Sequence, residues 1–226
     1  MTSTLREYPD VEQGSDEWNT LRRGMVTASV VGQLLTTRTL KPADNDVSRG
    51  VTMLLVAERI TGYTEPTYVS DDMWRGVTDE PIARDLYTQH YAEAREYGLM
   101  VRSGAGWTIG FSPDGLVGDD GLIEVKSRRQ KKQLATVLSG EVPSENMAQL
   151  QCGLLVSGRK WIDYVSFSGG MALFVKRVFP DPRWFDAITA AATEFEATAE
   201  LMIAAYNTNT RGLPMTERIV EQEMSL

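Results

Sequence analysis

The stretch that most constrains this chain is Ser112–Ser127, SPDGLVGDDGLIEVKS. Its centre, Gly118-Asp119-Asp120-Gly121, is a turn signal flanked by apolar residues. The spacing therefore predicts a β-hairpin. With the turn centred near Asp119, Asp114 on the first strand lies roughly opposite Glu124 on the second. Side chains alternate along a strand, so Glu124 and Lys126 share a face and Val125 points the other way. Two carboxylates and an ammonium then meet on one patch.

Such a patch is costly unless something uses it. A divalent metal ion would neutralise the carboxylates, and the lysine could hold a water or a phosphate oxygen. The layout Asp-x(n)-Glu-x-Lys is that of metal-dependent phosphodiester hydrolases. Asp-Gly turns and Glu-x-Lys strand edges also occur where no chemistry takes place. A calcium loop is excluded, because two and four positions after Asp114 stand Leu116 and Gly118, which offer no side-chain oxygen.

The 226 residues suffice for one sizeable domain, expected to span 1–226. No apolar run approaches the about 20 residues that cross a bilayer, so no membrane association is expected. Cys152 is the one cysteine, which excludes an internal disulfide and a cysteine-based zinc or iron–sulfur site. A reducing cytoplasm is the expected compartment. Net charge is −8, which taken alone argues against nucleic-acid binding. The distribution argues otherwise. Lys126, Arg128, Arg129, Lys131 and Lys132 form a basic run after the hairpin, and Arg22, Arg23, Arg38 and Lys41 a looser group. Acid collects near the ends, as at Glu194, Glu196, Glu217 and Glu221.

In chain order, residues 1–13 read as a flexible, extended lead-in. Ser15 caps a short helix that ends at Gly24. An apolar helix covers 30–35, and 36–47 read as loop. Ser48 opens a helix to about Ile60, stopped by Gly62. A longer helix starts at Asp71 or Asp72 and reaches about Tyr91, with Pro81 expected to kink or divide it. Strands are predicted at 96–102, 107–112 and 121–127, helices at 129–139 and 143–156, and strands at 161–167 and 172–178 around Gly169-Gly170. A final amphipathic helix covers 183–206, and 207–226 read as a mobile tail. Trp18 and Trp74 are expected in the core, and His90, the one histidine, on a helix surface or in packing. This order is that of one α/β domain with a small mixed central sheet flanked by helices.

Four blocks in order resemble the phage lambda exonuclease and YqaJ-type viral recombinase family of PD-(D/E)xK nucleases, over roughly residues 13–165. The first is Gln13-Gly14, Trp18, Leu21-Arg22, Gly24 and Thr27-Ala28-Ser29. The second is Trp74, Gly76, Glu80, Ala83-Arg84 and Leu86-Tyr87. The third is Ser112-Pro113-Asp114-Gly115-Leu116 with Glu124-Val125-Lys126, and the fourth is Met147-Ala148-Gln149 with Gln151.

The resemblance implies a restriction-endonuclease-like core and a 5′-to-3′ exonuclease that leaves 3′ overhangs on linear duplex DNA. It implies two Mg2+ ions, replaceable by Mn2+, among Glu80, Asp114, Glu124 and the Val125 backbone carbonyl. Lys126 would activate the water, with Gln149 beside it. Arg22 and Ser29 would hold a 5′-phosphate, with Arg38 as a further phosphate binder. A ring-shaped homotrimer around DNA and a phage single-strand annealing protein as partner are also implied. Two alternatives stay open: a PD-(D/E)xK endonuclease of restriction or repair type, and a non-catalytic DNA-end binding module.

Overall fold

The computed structural model describes residues 3–66 and 70–218. The strand β1 (Thr4–Tyr8) is followed by α1 (Asp16–Arg22), β2 (Val26–Thr27), α2 (Ala28–Val31), the short strands β3 (Leu35–Thr36) and β4 (Lys41–Pro42), and α3 (Asp46–Thr61). Then come α4 (Asp71–His90), β5 (Leu99–Gly104), β6 (Trp107–Phe111), β7 (Gly115–Val117) and β8 (Gly121–Ser127). The chain closes with α5 (Gln130–Ser139), α6 (Ser144–Ser157), β9 (Trp161–Phe167), β10 (Phe174–Val178) and α7 (Pro182–Asn209). Among the described residues, no helix is long and apolar enough to cross a membrane.

The strands divide between two mixed four-stranded sheets, β1-β5-β6-β2 and β10-β9-β8-β7, and a two-stranded ribbon of β3 and β4. Ser112-Pro113-Asp114 carries the chain from the first sheet into the second, and this bend positions the acidic cluster. β7 and β8 pair with Gly115 opposite Ile123, which sets Asp114 opposite Glu124 as the hairpin reading requires. Gly118 adopts φ +51° in the turn, a conformation that costs a Cβ-bearing residue. β8 then runs parallel to β9 over its full length.

The two faces of β8 serve different neighbours. Leu122 joins the main core, which also holds Leu150 and Leu154 of α6 and Ile188 and Phe195 of α7. Ile123 and Val125 point the other way, into a second cluster with Ala83 and Tyr87 of α4. Glu124 and Lys126 thus share the Leu122 face, toward α6. Gly153 lets α6 approach β6 closely, because a Cβ there would lie 2.7 Å from the Phe111 ring. Gly153→Ala is expected to destabilise by about 1–3 kcal/mol through overpacking, lowering the melting temperature by roughly 2–4 °C per kcal/mol. An unchanged thermal unfolding curve would contradict that close packing.

Several local expectations are corrected. The lead-in is tied down as β1, with Thr4 opposite Ser103 and Tyr8 opposite Leu99; Leu5 packs on the core. Helix α2 is only one turn, since Leu35-Thr36 is drawn into the ribbon with Lys41-Pro42. Asn45, not Ser48, caps α3; Ser48 supplies the reciprocal bond of a capping box. Pro81 does not divide α4. It sits on an exposed face, where water can satisfy the carbonyl it leaves without a donor. Trp74 is 62% exposed rather than core. Helix α7 extends to Asn209, and residues 219–226 of the expected tail lie outside the described residues.

Candidate active site

A cleft of 370 Å³ lies where α1, α2, α4, the bend before β7, the end of β8 and α6 converge. Glu80, Asp114, Glu124, Val125, Lys126, Gln149, Arg22 and Ser29 all line it. Residues separated by up to 127 positions are thereby brought to one wall. Arg38 is not among them. It lies exposed between β3 and β4, which pair as an outlying ribbon.

The acid cluster is tightly wired. Lys126 Nζ donates to Glu124 Oε1 at 2.6 Å, and Gln149 Nε2 donates to the same oxygen at 2.5 Å. Glu124 is 2% exposed, and its Oε2 is buried with no hydrogen-bond partner. Asp114 Oδ2 accepts the Val125 N–H at 2.7 Å. Burial pushes the Asp114 carboxyl well above the usual carboxylate range, and the neighbouring Glu124 and Glu80 push it further. Burial also raises Glu80, against the pull of Arg84. For Lys126, burial disfavours the ammonium, but Glu124 and Asp114 together outweigh it and raise its pKa. Lys126 is therefore a fixed positive charge at neutral pH.

The resemblance implies two ions among Glu80, Asp114, Glu124 and the Val125 carbonyl. Among the described residues, no group of three His, Cys, Asp or Glu side chains is gathered closely enough to hold a metal. Local donors hold one oxygen each of Glu80 and Glu124. Arg84 takes Glu80 Oε1 at 2.9 Å, while Lys126 and Gln149 take Glu124 Oε1. What remains available suits a hard cation: the orphaned Glu124 Oε2, the second oxygen of Glu80, the Asp114 carboxylate in its like-charged setting, and the Val125 carbonyl. That carbonyl points to the same edge of β8 as the Val125 N–H, and β7 pairs along this edge only as far as Ile123. An all-oxygen set with a buried, unpartnered carboxylate oxygen fits a hard divalent cation.

A second group lining the cleft suits a phosphate. An Arg22 terminal nitrogen lies 3.4 Å from both Thr27 Oγ1 and Ser29 Oγ, and those hydroxyls are 3.0 Å apart. The guanidinium stacks 3.9 Å above the Trp18 ring, whose Nε1 donates to Ser112 Oγ at 2.7 Å. Burial lowers the Arg22 pKa, opposed by Glu58, but an arginine stays charged throughout. Because α2 is a single turn, its dipole adds little; the guanidinium and the two hydroxyls make this pocket. Trp18 is therefore part of the cleft wall rather than core. Its i, i+4 spacing to Arg22 on α1 was the signal available in the sequence, as was the alternation of Thr27 and Ser29.

The basic run after β8 is less open than its composition suggests. Arg128 turns inward to Asn146 Oδ1 and the Tyr164 hydroxyl. Arg129 pairs with Asp72, and Lys132 with Glu145. His90 is exposed in the last turn of α4, away from this cleft.

A model of the YqaJ-like viral recombinase domain matches residues 17–160, well over half of the chain. The structure is similar to an alkaline exonuclease (LHK-Exo) from Laribacter hongkongensis, at 30% identity and a TM-score of 0.78, covering 88% of this chain and 100% of that one. It matches the same exonuclease in complex with dAMP at a TM-score of 0.76, with the same identity and coverage. A phage related exonuclease from Haemophilus somnus shares the fold at 13% identity and a TM-score of 0.56, covering 83% of this chain and 99% of that one. No curated protein sequence matches the chain. The chain belongs to the YqaJ-like viral recombinase family and is a nuclease of the lambda exonuclease type.

Proposed function

We propose that this protein is a magnesium-dependent 5′-to-3′ exodeoxyribonuclease that acts on ends of linear double-stranded DNA. One observation carries the reading: a single cleft is lined by both an acid–lysine cluster and an arginine–hydroxyl pocket. Magnesium ions, two by the family resemblance and replaceable by manganese, would acidify a water and polarise a phosphoryl oxygen, held by Asp114, Glu124 and the Val125 carbonyl with Glu80. Lys126 orients the attacking water and offsets negative charge as it builds on the phosphoryl group. Gln149 holds Glu124 and Lys126 in register. Arg22, Thr27 and Ser29 grip the terminal 5′-phosphate.

Attack by water oxygen on the first internucleotide phosphorus breaks the bond to the 3′-oxygen, which leaves with a proton. The products are a 5′-mononucleotide and a strand with a new 5′-phosphate. The recognised group is thus regenerated at each cut, and a 3′ overhang grows. A homotrimeric ring, transfer of that overhang to a phage single-strand annealing protein, and a location in the host cytoplasm complete the reading, on the family resemblance alone.

The test compares linear duplexes with 5′-phosphate and 5′-hydroxyl ends. The phosphorylated end is expected to be digested about 10- to 100-fold faster, as a charge-assisted grip implies. Arg22→Ala is expected to remove most of that preference. Equal rates together with a harmless Arg22→Ala would overturn the phosphate pocket. Cutting of closed circular DNA would favour an endonuclease, and end protection without product a binding module.

A further inference from the structure

Behind the acid wall sits one buried cation that the chemistry above does not use. Arg84, on the turn of α4 after Glu80, has a side chain only 10% exposed. One terminal nitrogen donates to Glu80 Oε1 at 2.9 Å and to the Asp114 backbone carbonyl at 2.8 Å. The other pairs with Glu96, whose side chain is 77% exposed. Glu80 and Asp114 form a shared wall between the candidate active site and a second cleft of 550 Å³, and Arg84 and Glu96 line only the latter. The guanidinium therefore holds the helix carboxylate and the hairpin backbone from the rear, with its charge divided between two carboxylates. A cation entering from the front meets Asp114 and Glu124 with oxygens to offer, and Glu80 with its Oε1 already held by the buried Arg84 guanidinium.

We propose that Arg84 is a positioning residue that competes with a divalent cation for the Glu80 carboxylate, and that Glu96 sets the strength of this competition. When Glu80 turns to a cation, Arg84 keeps a partner in Glu96 and a tether on Asp114. A buried arginine with no second carboxylate would resist that exchange, because an unpaired buried charge is costly. This rests on the hydrolase reading only in placing a cation at the front of the wall.

Calcium ion, which supports binding without requiring turnover, is titrated into the full chain by calorimetry. Glu80→Gln identifies the binding event that involves Glu80. Glu96→Gln is expected to weaken that event about two- to fivefold, the range an exposed ion pair supports, because Arg84 then relies on Glu80 alone. Arg84→Met is expected to strengthen it by at least as much, while magnesium-supported turnover at saturating metal falls because Asp114 and Glu80 lose their common tether. A purely structural arginine predicts the reverse for Arg84→Met, with weaker binding. Shifts in the same direction for both variants, or no shift, overturn the proposal. Should Arg84→Met fail to fold, the exposed Glu96→Gln decides alone, and an unchanged midpoint refutes the competition. A wild-type chain that takes up no calcium overturns the cation reading itself, a result distinct from binding that ignores Arg84 and Glu96.

Discussion

Lys126→Met is expected to lower magnesium-supported release of nucleotides from linear duplex by about a thousandfold, the upper range for losing one preorganised electrostatic partner. Methionine keeps most of the side-chain volume and removes only the charge. That charge is held 2.6 Å from Glu124 Oε1, and the side chain is 23% exposed. It is raised rather than lowered in pKa, so the contribution proposed for it is that of a permanent positive charge. The variant has a second, separable consequence. Glu124 loses its ion-pair partner while remaining buried, and breaking a buried pair costs about 3–5 kcal/mol. Without divalent cation the variant is therefore expected to melt well below the wild type. Saturating magnesium, which supplies the missing positive charge, is expected to recover much of that stability and little of the activity. End-labelled digestion and thermal unfolding, each with and without magnesium, separate the two effects. Wild-type turnover in Lys126→Met would remove lysine from the mechanism.

The parts of this site that could be read in the sequence are those set by local rules. The hairpin register follows from one glycine at positive φ and strict alternation, so Asp114 opposite Glu124 needed nothing from the rest of the chain. The Ser15 cap, the stop at Gly62 and the Gly169-Gly170 connection between β9 and β10 were legible for the same reason. Pairings between distant segments were not. Nothing in Thr4–Tyr8 marks Leu99–Gly104 as its partner, and a two-residue strand such as Val26–Thr27 beside Ile109–Gly110 leaves no periodicity to detect. The site shows the same division. Motif spacing pointed to Asp114, Glu124 and Lys126, and the family resemblance added Glu80 and Gln149, but neither showed which donors hold those carboxylates. Arg84 stood in plain view within a quoted block, yet its effect depends on reaching the Asp114 carbonyl across the fold. Arg38 shows the converse: its charge was visible, but the ribbon that leaves it off the lining of this cleft was not.

Asp114→Asn is expected to raise stability while removing activity, the opposite pairing to an ordinary damaging substitution. Asparagine preserves the acceptor that takes the Val125 N–H at 2.7 Å, so the bend keeps its anchor. What disappears is a carboxyl that burial, Glu124 and Glu80 all push above its usual range. The sign follows from linkage. A carboxyl with a raised folded-state pKa binds more protons folded than unfolded, so its penalty is absent below the unfolded value of about 3.9 and grows as pH rises toward the folded value. At neutral pH without divalent cation, Asp114→Asn is therefore expected to be more stable by about 0.5–2 kcal/mol, the range of stabilising single substitutions, or roughly 1–8 °C. The two melting temperatures should converge as pH falls toward 4. Adding magnesium should reverse the order, because a cation stabilises the state that binds it and the wild type offers the stronger ligand set. Turnover should fall at least about a hundredfold. A destabilised Asp114→Asn at neutral pH without metal, or an equal magnesium response in both proteins, would mean that Asp114 is a structural acceptor and that its charge was never under strain.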